Sequence, residues 1–413
     1  MVPPDDPSRP TRRSVLRRGA TAVAIGLATG LSGCTGSLPP LSSKPRYGRV
    51  DVPDAGPPKY RRWLPAGWDS ETDEDWVITY AEPGPFEGPV PEEFVARRGF
   101  HKLELDYFGI GYENYDSLTT TNLATVIEAE FTADDVAATL ADTGYESERS
   151  YRGYDVYSRS DVRRRAAVRD GVVVWASANE HNAPDIEGTI DAGHGHTERY
   201  HEQNDAFEAV TDAAGASRML YIGGSHPGLN PEIAELGADA FRIDDGVAYH
   251  LLIERYESAA DNSADRTKSA LEQQRHELTK EARTVDVEAD GRFMTVSARV
   301  PTRPNRERDP IDDPPQVTWG GNFDAAARTV TLRHEAGESA DSDLICYDID
   351  TPEDGGEVEK KPLWPDQKTV STGDETTIDL SDEPTADGIS VVYGPADDVG
   401  FRMLFSLPLE DDR

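Results

Sequence analysis

The stretch Ala124-Thr125-Val126-Ile127-Glu128-Ala129-Glu130-Phe131-Thr132-Ala133-Asp134-Asp135 carries the chain from a strand into a helix. Residues 124 to 131 alternate as a strand. Thr132 then offers an N-cap, Asp134 and Asp135 place acids in a first helical turn, and the helix runs to 143 with Gly144 beyond it. Residues 150 to 158 read as the next strand. Residues 166 to 168 and 172 to 176 form a hairpin across Asp170-Gly171, a pair that tolerates the positive φ of a tight turn. A similar order returns later: a strand over 247 to 256, a charged helix over 263 to 278, and a hairpin over 284 to 300 turning at Asp290-Gly291. Between them, 198 to 214 reads as a helix stopped by Gly215, followed by the apolar strand 219 to 222. The expectation is an α+β fold with antiparallel sheets, helices on one face, and two β-α-β-β units in tandem within a domain at 59–313.

Prolines between 301 and 315 mark a linker, and beyond it the helix signals stop. Six short strands are expected, at 317 to 319, 327 to 334, 344 to 349, 376 to 380, 389 to 393 and 401 to 407, and an all-β sandwich over 314–413 is the economical arrangement. Phe323-Asp324, Val330-Thr331-Leu332-Arg333-His334 and Gly337-Glu338, leading to Leu344, resemble the β-sandwich head of archaeal type IV pilins. That resemblance implies a module for surface contact. The chain lacks the pilin assembly helix, so a filament subunit is not implied.

The N-terminus reads as an address. Thr11-Arg12-Arg13-Ser14-Val15-Leu16-Arg17 resembles the twin-arginine export signature, with Val15 where Phe is frequent and Arg17 where Lys is frequent. Leu31-Ser32-Gly33-Cys34 resembles the lipobox, which implies cleavage before Cys34 and lipid on its thiol. The apolar run from 20 to 31 falls short of the roughly 20 residues that span a bilayer. Residues 1–33 are therefore expected to be a signal peptide, and the proline-rich residues 34–58 an extended tether to the outer face of the cell membrane. Tyr151-Arg152-Gly153-Tyr154-Asp155-Val156-Tyr157 resembles phrases in uncharacterised exported lipoproteins of salt-loving archaea.

The net charge of −36 makes nucleic-acid phosphates repelled partners, so nucleic-acid binding is excluded. Acids are spread along the chain, and eight lysines stand against 34 arginines, a pattern that resembles proteins of extreme halophiles. With Cys34 lipidated, Cys346 has no disulfide partner in the chain and is expected to act as a small buried hydrophobe.

Four histidines, His181, His194, His196 and His201, lie in one acid-rich stretch, and imidazole with carboxylate is the ligand set of zinc and other transition metals. His194, His196 and His201 are the candidate metal ligands. Gly223-Gly224-Ser225-His226-Pro227-Gly228 fails as a nucleophile elbow because Pro227 stands where the turn needs glycine. Asp348, Asp350 and Asp354 miss the spacing of a calcium loop. Tyr107, Phe108, Tyr112 and Tyr115 are expected to pack in a core with polar tips outward.

No cofactor and no catalytic residue is thus specified. The expectation is a non-enzymatic, lipid-anchored surface protein that binds or scaffolds a surface protein or small ligand. The alternative is a metal-binding protein or metal-dependent extracytoplasmic enzyme built on the three histidines. The charge also predicts salt dependence: circular dichroism should show the fold intact in molar potassium chloride and lost in dilute buffer, where carboxylate repulsion is unscreened.

Overall fold

The computed structural model describes residues 46–67, 77–85, 88–178, 181–223, 234–274, 282, 284–302, 310–351, 359–396 and 400–409. Arg12, Arg13, Cys34, Ser225, Pro227 and Asp354 lie outside them. The chain is rich in strands, gathered into large antiparallel sheets.

The largest sheet has twelve strands. One half holds β1 (Val77–Ala81), β2 (Tyr115–Thr120), β3 (Thr125–Ala129), β4 (Glu146–Tyr151), β5 (Tyr154–Arg159), β6 (Arg164–Arg169) and β7 (Val172–Ser177). The other holds β8 (Met219–Gly223), β9 (Ala234–Asp244), β10 (Val247–Tyr256), β11 (Thr284–Asp290) and β12 (Phe293–Val300). The helices are α1 (Glu92–Leu103), α2 (Ala133–Ala141), α3 (Ile186–Gly193), α4 (Tyr200–Gln203), α5 (Asp205–Ala214) and α6 (Ala264–Gln274). From the middle outward the halves run β1-β2-β3-β7-β6-β5-β4 and β8-β9-β10-β12-β11, joined where β1 pairs antiparallel with β8. In each half a helix follows the third strand, and a hairpin then returns to pair with that strand.

The local signals explain much of this. Thr132 caps α2: its hydroxyl accepts from the Asp135 N–H, and the Asp135 carboxylate accepts from the Thr132 N–H. Gly171 and Gly291 take positive φ in the two expected hairpins. One expected strand is corrected, because residues 150 to 158 span two strands. They hold the end of β4, a turn at Arg152 (φ 48) and Gly153 (φ 82), and most of β5. The helices also cover both faces of the sheet rather than one. α1, α2 and α6 pack on one face, where Phe94 meets Phe241, Val136 meets Ala166, and Leu271 meets Leu252. On the opposite face Phe207 of α5 packs with Leu220, and Ile190 of α3 with Val174.

A buried polar clamp pins α1 across the sheet. Arg97 pairs with Asp239 on β9 at 2.9 Å and lies over the rings of Tyr221 and Phe241, and His250 on β10 bonds the other Asp239 oxygen at 2.7 Å. Asp239 is fully buried, yet Arg97 and His250 hold its carboxyl well below the usual range.

The segment 46–58, expected as part of an extended tether, is docked on the body. It runs beside β11 in parallel, the Gly48 N–H donating to Val285 O (3.0 Å) and the Val285 N–H to Arg46 O (2.9 Å). Further on, the Ala216 N–H donates to Gly56 O (2.7 Å). Composition allowed an extended chain, and the unpaired edge of β11 supplies the partner.

The C-terminal strands are β13 (Val317–Asp324), β14 (Thr329–Gly337), β15 (Ala340–Asp341), β16 (Ile345–Asp350), β17 (Lys361–Pro362), β18 (Thr369–Val370), β19 (Glu375–Asp379), β20 (Gly388–Tyr393) and β21 (Arg402–Pro408). They form a sheet β13-β14-β19, a sheet β17-β16-β20-β21 and the small pair β15-β18. Trp319, Val330 and Leu332 of the first sheet share one core with Ile345, Val391 and Phe405 of the second. Cys346 of β16 is buried, as expected, with its Sγ by the Gly394 carbonyl.

These sheets are not held off by a free linker. Gly99 in α1 faces the Asp312 carbonyl so closely that any Cβ would clash. Gln316 donates to Asp106 O (2.9 Å) and to the Tyr115 hydroxyl (2.8 Å), so the tip of Tyr115 points inward, against expectation. Arg164 pairs with Asp106, which also accepts from the Tyr145 hydroxyl at 2.7 Å. Arg159 reaches Glu335 at 3.1 Å. Removing one member of such a pair leaves an uncompensated buried charge. Arg164→Met should therefore lower unfolding free energy by about 3–5 kcal/mol, and Asp106→Asn added to it should recover part of the loss, both read by denaturant titration at constant salt.

Candidate functional site

The four histidines fall into three environments. His181 belongs to the core: its Nδ1 lies 3.0 Å from the Ser177 N and 3.3 Å from the Ser177 carbonyl oxygen, and its Nε2 faces Thr125 Oγ1 at 3.2 Å. His194 ends α3, whose start is capped by Asp185. Gly193, just before it, lies against the Trp63 ring, with no room for a Cβ. The His194 Nε2 shares a hydrogen bond with the Tyr154 hydroxyl (3.0 Å), and its ring centroid is 6.3 Å from that of exposed His196. His201 sits on α4 and lines a separate groove.

The structure thus sets His194 and His196 side by side and places His201 in the separate groove. Among the described residues, no three His, Cys, Asp or Glu side chains form a group that could hold a metal ion. Burial, then Arg169, His196 and Arg62, push the His194 pKa below its ordinary value. Burial and then Arg61 do the same for His201.

The groove at His201 is the more informative feature. It encloses about 500 Å³ and is lined by Pro57, Pro58, Lys59, Arg61, Arg62, Glu128, Arg199 and His201. The sequence Lys59-Tyr60-Arg61-Arg62-Trp63 folds as a 3-10 turn. With three residues per turn, positions three apart eclipse, so Tyr60 and Trp63 enter the core together while Lys59 and Arg62 face solvent together. Arg61 is fixed by Thr211 Oγ1 (2.6 Å) and Asp212 (2.7 Å). Glu128 on β3 is occupied three ways: it pairs with Arg62, accepts from Ser117 Oγ (3.0 Å), and accepts from Trp63 Nε1 (3.4 Å). Arg199 spends its Nε on the Ala192 carbonyl at 3.0 Å.

The sequence reading assigned Lys59, Arg61 and Arg62 no role. Three cations in four residues of so acidic a chain are the signal that could have found them. A second cavity of about 880 Å³ lies between residues 49 to 52 and the face of β10, β11 and β12, with walls of mixed charge.

No family model matches the chain, and no curated protein matches it. Solved structures of TP0453 are similar in part. Crystal form I has TM-score 0.38 and 7% identity, covering 59% of this chain and 92% of that one. Crystal form III has TM-score 0.37 and 8% identity, covering 59% and 93%. Likeness at this level establishes neither a family nor an activity for the chain.

The lowered histidines set a pH dependence. A base whose pKa falls on folding leaves the unfolded state holding more protons, so its contribution is full above the unfolded value near 6.5 and shrinks as pH falls below it. NMR titration should place the His194 and His201 midpoints below 6.5, and stability should drop as pH is lowered through that range.

Proposed function

We propose that the chain is a lipid-anchored extracytoplasmic protein of an extreme halophile, exported by the twin-arginine route and held at the outer face of the cell membrane through Cys34. It works by binding or scaffolding rather than by catalysis. The observation that carries this reading is the order of two processing signals, Arg12-Arg13 and then Leu31-Ser32-Gly33-Cys34, ahead of a strongly acidic chain. The acidity supports a salt habitat, where dense carboxylates keep a surface hydrated. The docked segment 46–58 supports a short reach between lipid and body, because only residues 35 to 45 separate Cys34 from the first docked residue.

The finer architecture belongs to the same proposal. Residues 59–313 are two related β-α-β-β units fused edge to edge, the first enlarged by the hairpin β4-β5. Residues 314–413 are an all-β sandwich used for surface contact. The mirrored strand order about β1 and β8 supports the first statement, and the core shared by the two C-terminal sheets supports the second.

Replacing Cys34 with Ser tests the anchor. The variant should appear in the growth medium while the natural chain fractionates with membranes; retention of Cys34→Ser in the membrane fraction would refute anchoring through this residue.

A further inference from the structure

We propose that the groove at Lys59 is a binding site for an oxyanion, a phosphate or sulfate group carried by a small ligand. The inference rests on reading the chain as a binding protein, but not on its anchoring.

The first argument is scarcity. With 78 acids against 42 lysines and arginines, a cation in this chain has carboxylates to spare. Four cations nevertheless line one concavity whose sole acid is Glu128, and Glu128 is already committed to Arg62, Ser117 and Trp63. Among the described residues the Lys59 and Arg199 side chains pair with no carboxylate, Glu202 accepting only from the Arg199 backbone N–H (2.9 Å), and the buried His201 Nδ1 has no hydrogen-bond partner. The positive field is thus left open toward the groove.

The second argument is rigidity. Tyr60 and Trp63 are 1% and 2% exposed and anchor the turn that presents Lys59 and Arg62. Arg61 is held against α5 by Thr211 and Asp212, and Arg199 against α3 by its bond to Ala192. Donors held in place before binding lose little entropy when an anion arrives. In molar salt a lone surface charge is screened within about 3 Å, so a single cation would hold nothing but chloride. Several donors around one cavity favour instead a polyatomic anion that accepts from more than one of them, as guanidinium forks do with phosphate.

The test is calorimetric titration of the soluble Cys34→Ser chain in molar potassium chloride at constant ionic strength. The probes are inorganic phosphate, inorganic sulfate, a sugar phosphate, and phosphatidylglycerol vesicles. Saturable binding of phosphate or sulfate over the chloride background is expected. Lys59→Glu and Arg199→Gln should each weaken it about tenfold, through loss of a charge-assisted contact. Arg49→Glu, which changes net charge as Lys59→Glu does but lies outside the groove, should leave it unchanged. Tighter binding of the sugar phosphate assigns a soluble ester, and vesicle binding lost in Lys59→Glu assigns a lipid headgroup. Heat no greater than chloride dilution for every probe, or equal weakening in Arg49→Glu, would overturn the site. Circular dichroism on each variant separates misfolding from lost binding, and membrane fractionation of the natural chain reports on the anchor independently.

Discussion

One guanidinium holds the middle of this molecule together. Arg97 reaches from α1 to Asp239 on β9, lies over Tyr221 of β8 and Phe241 of β9, and shares the carboxylate with His250 of β10. Three neighbouring strands are thereby tied to one helix. The tie matters because β1 and β8, which splice the two halves, are only five residues each. Short antiparallel pairs are weak alone. Ion pairing in a dry interior costs desolvation that the attraction barely offsets, so the clamp defines the position of α1 more than it adds stability.

The same helix carries the second constraint. Its far end places Leu103 in the C-terminal core, and Lys102 pairs with Glu338 at 2.7 Å. The polar contacts of Asp106, Arg164, Arg159 and Glu335 then fill the joint between the large sheet and the C-terminal sheets. Such a joint tolerates little slippage, because each displaced group would lose a buried polar partner.

Features with a local cause were legible from residues alone. Thr132 with Asp135, Asp170-Gly171 and Asp290-Gly291 act within a few residues of themselves, and each forms as its chemistry dictates. Arg152-Gly153 escaped notice because arginine seldom takes positive φ, and only pairing of β4 with β5 makes the turn obligatory. β9 escaped for the opposite reason. Its Ala, Gly and Asp are poor strand formers, and it exists through its neighbours β8 and β10. The histidine cluster looked compact in sequence, yet α3 and α4 carry His194 and His201 to different places. The groove at Lys59 drew no comment because proline-rich surroundings read as tether, while Tyr60 and Trp63 make the turn part of the core.

The large sheet is open and ends in β4 and β11, and the chain treats these two edges differently. β4 is exposed along its length, charged, and bulged between Ser147 and Arg149, all of which discourage another strand from adding to it. β11 is instead covered by residues 46 to 48, the described residues nearest Cys34 in sequence. On the anchoring proposed at Cys34, edge guard and leash are one piece of polypeptide. A pull on it acts on the two hydrogen bonds at Val285, and their parting would bare the edge of β11.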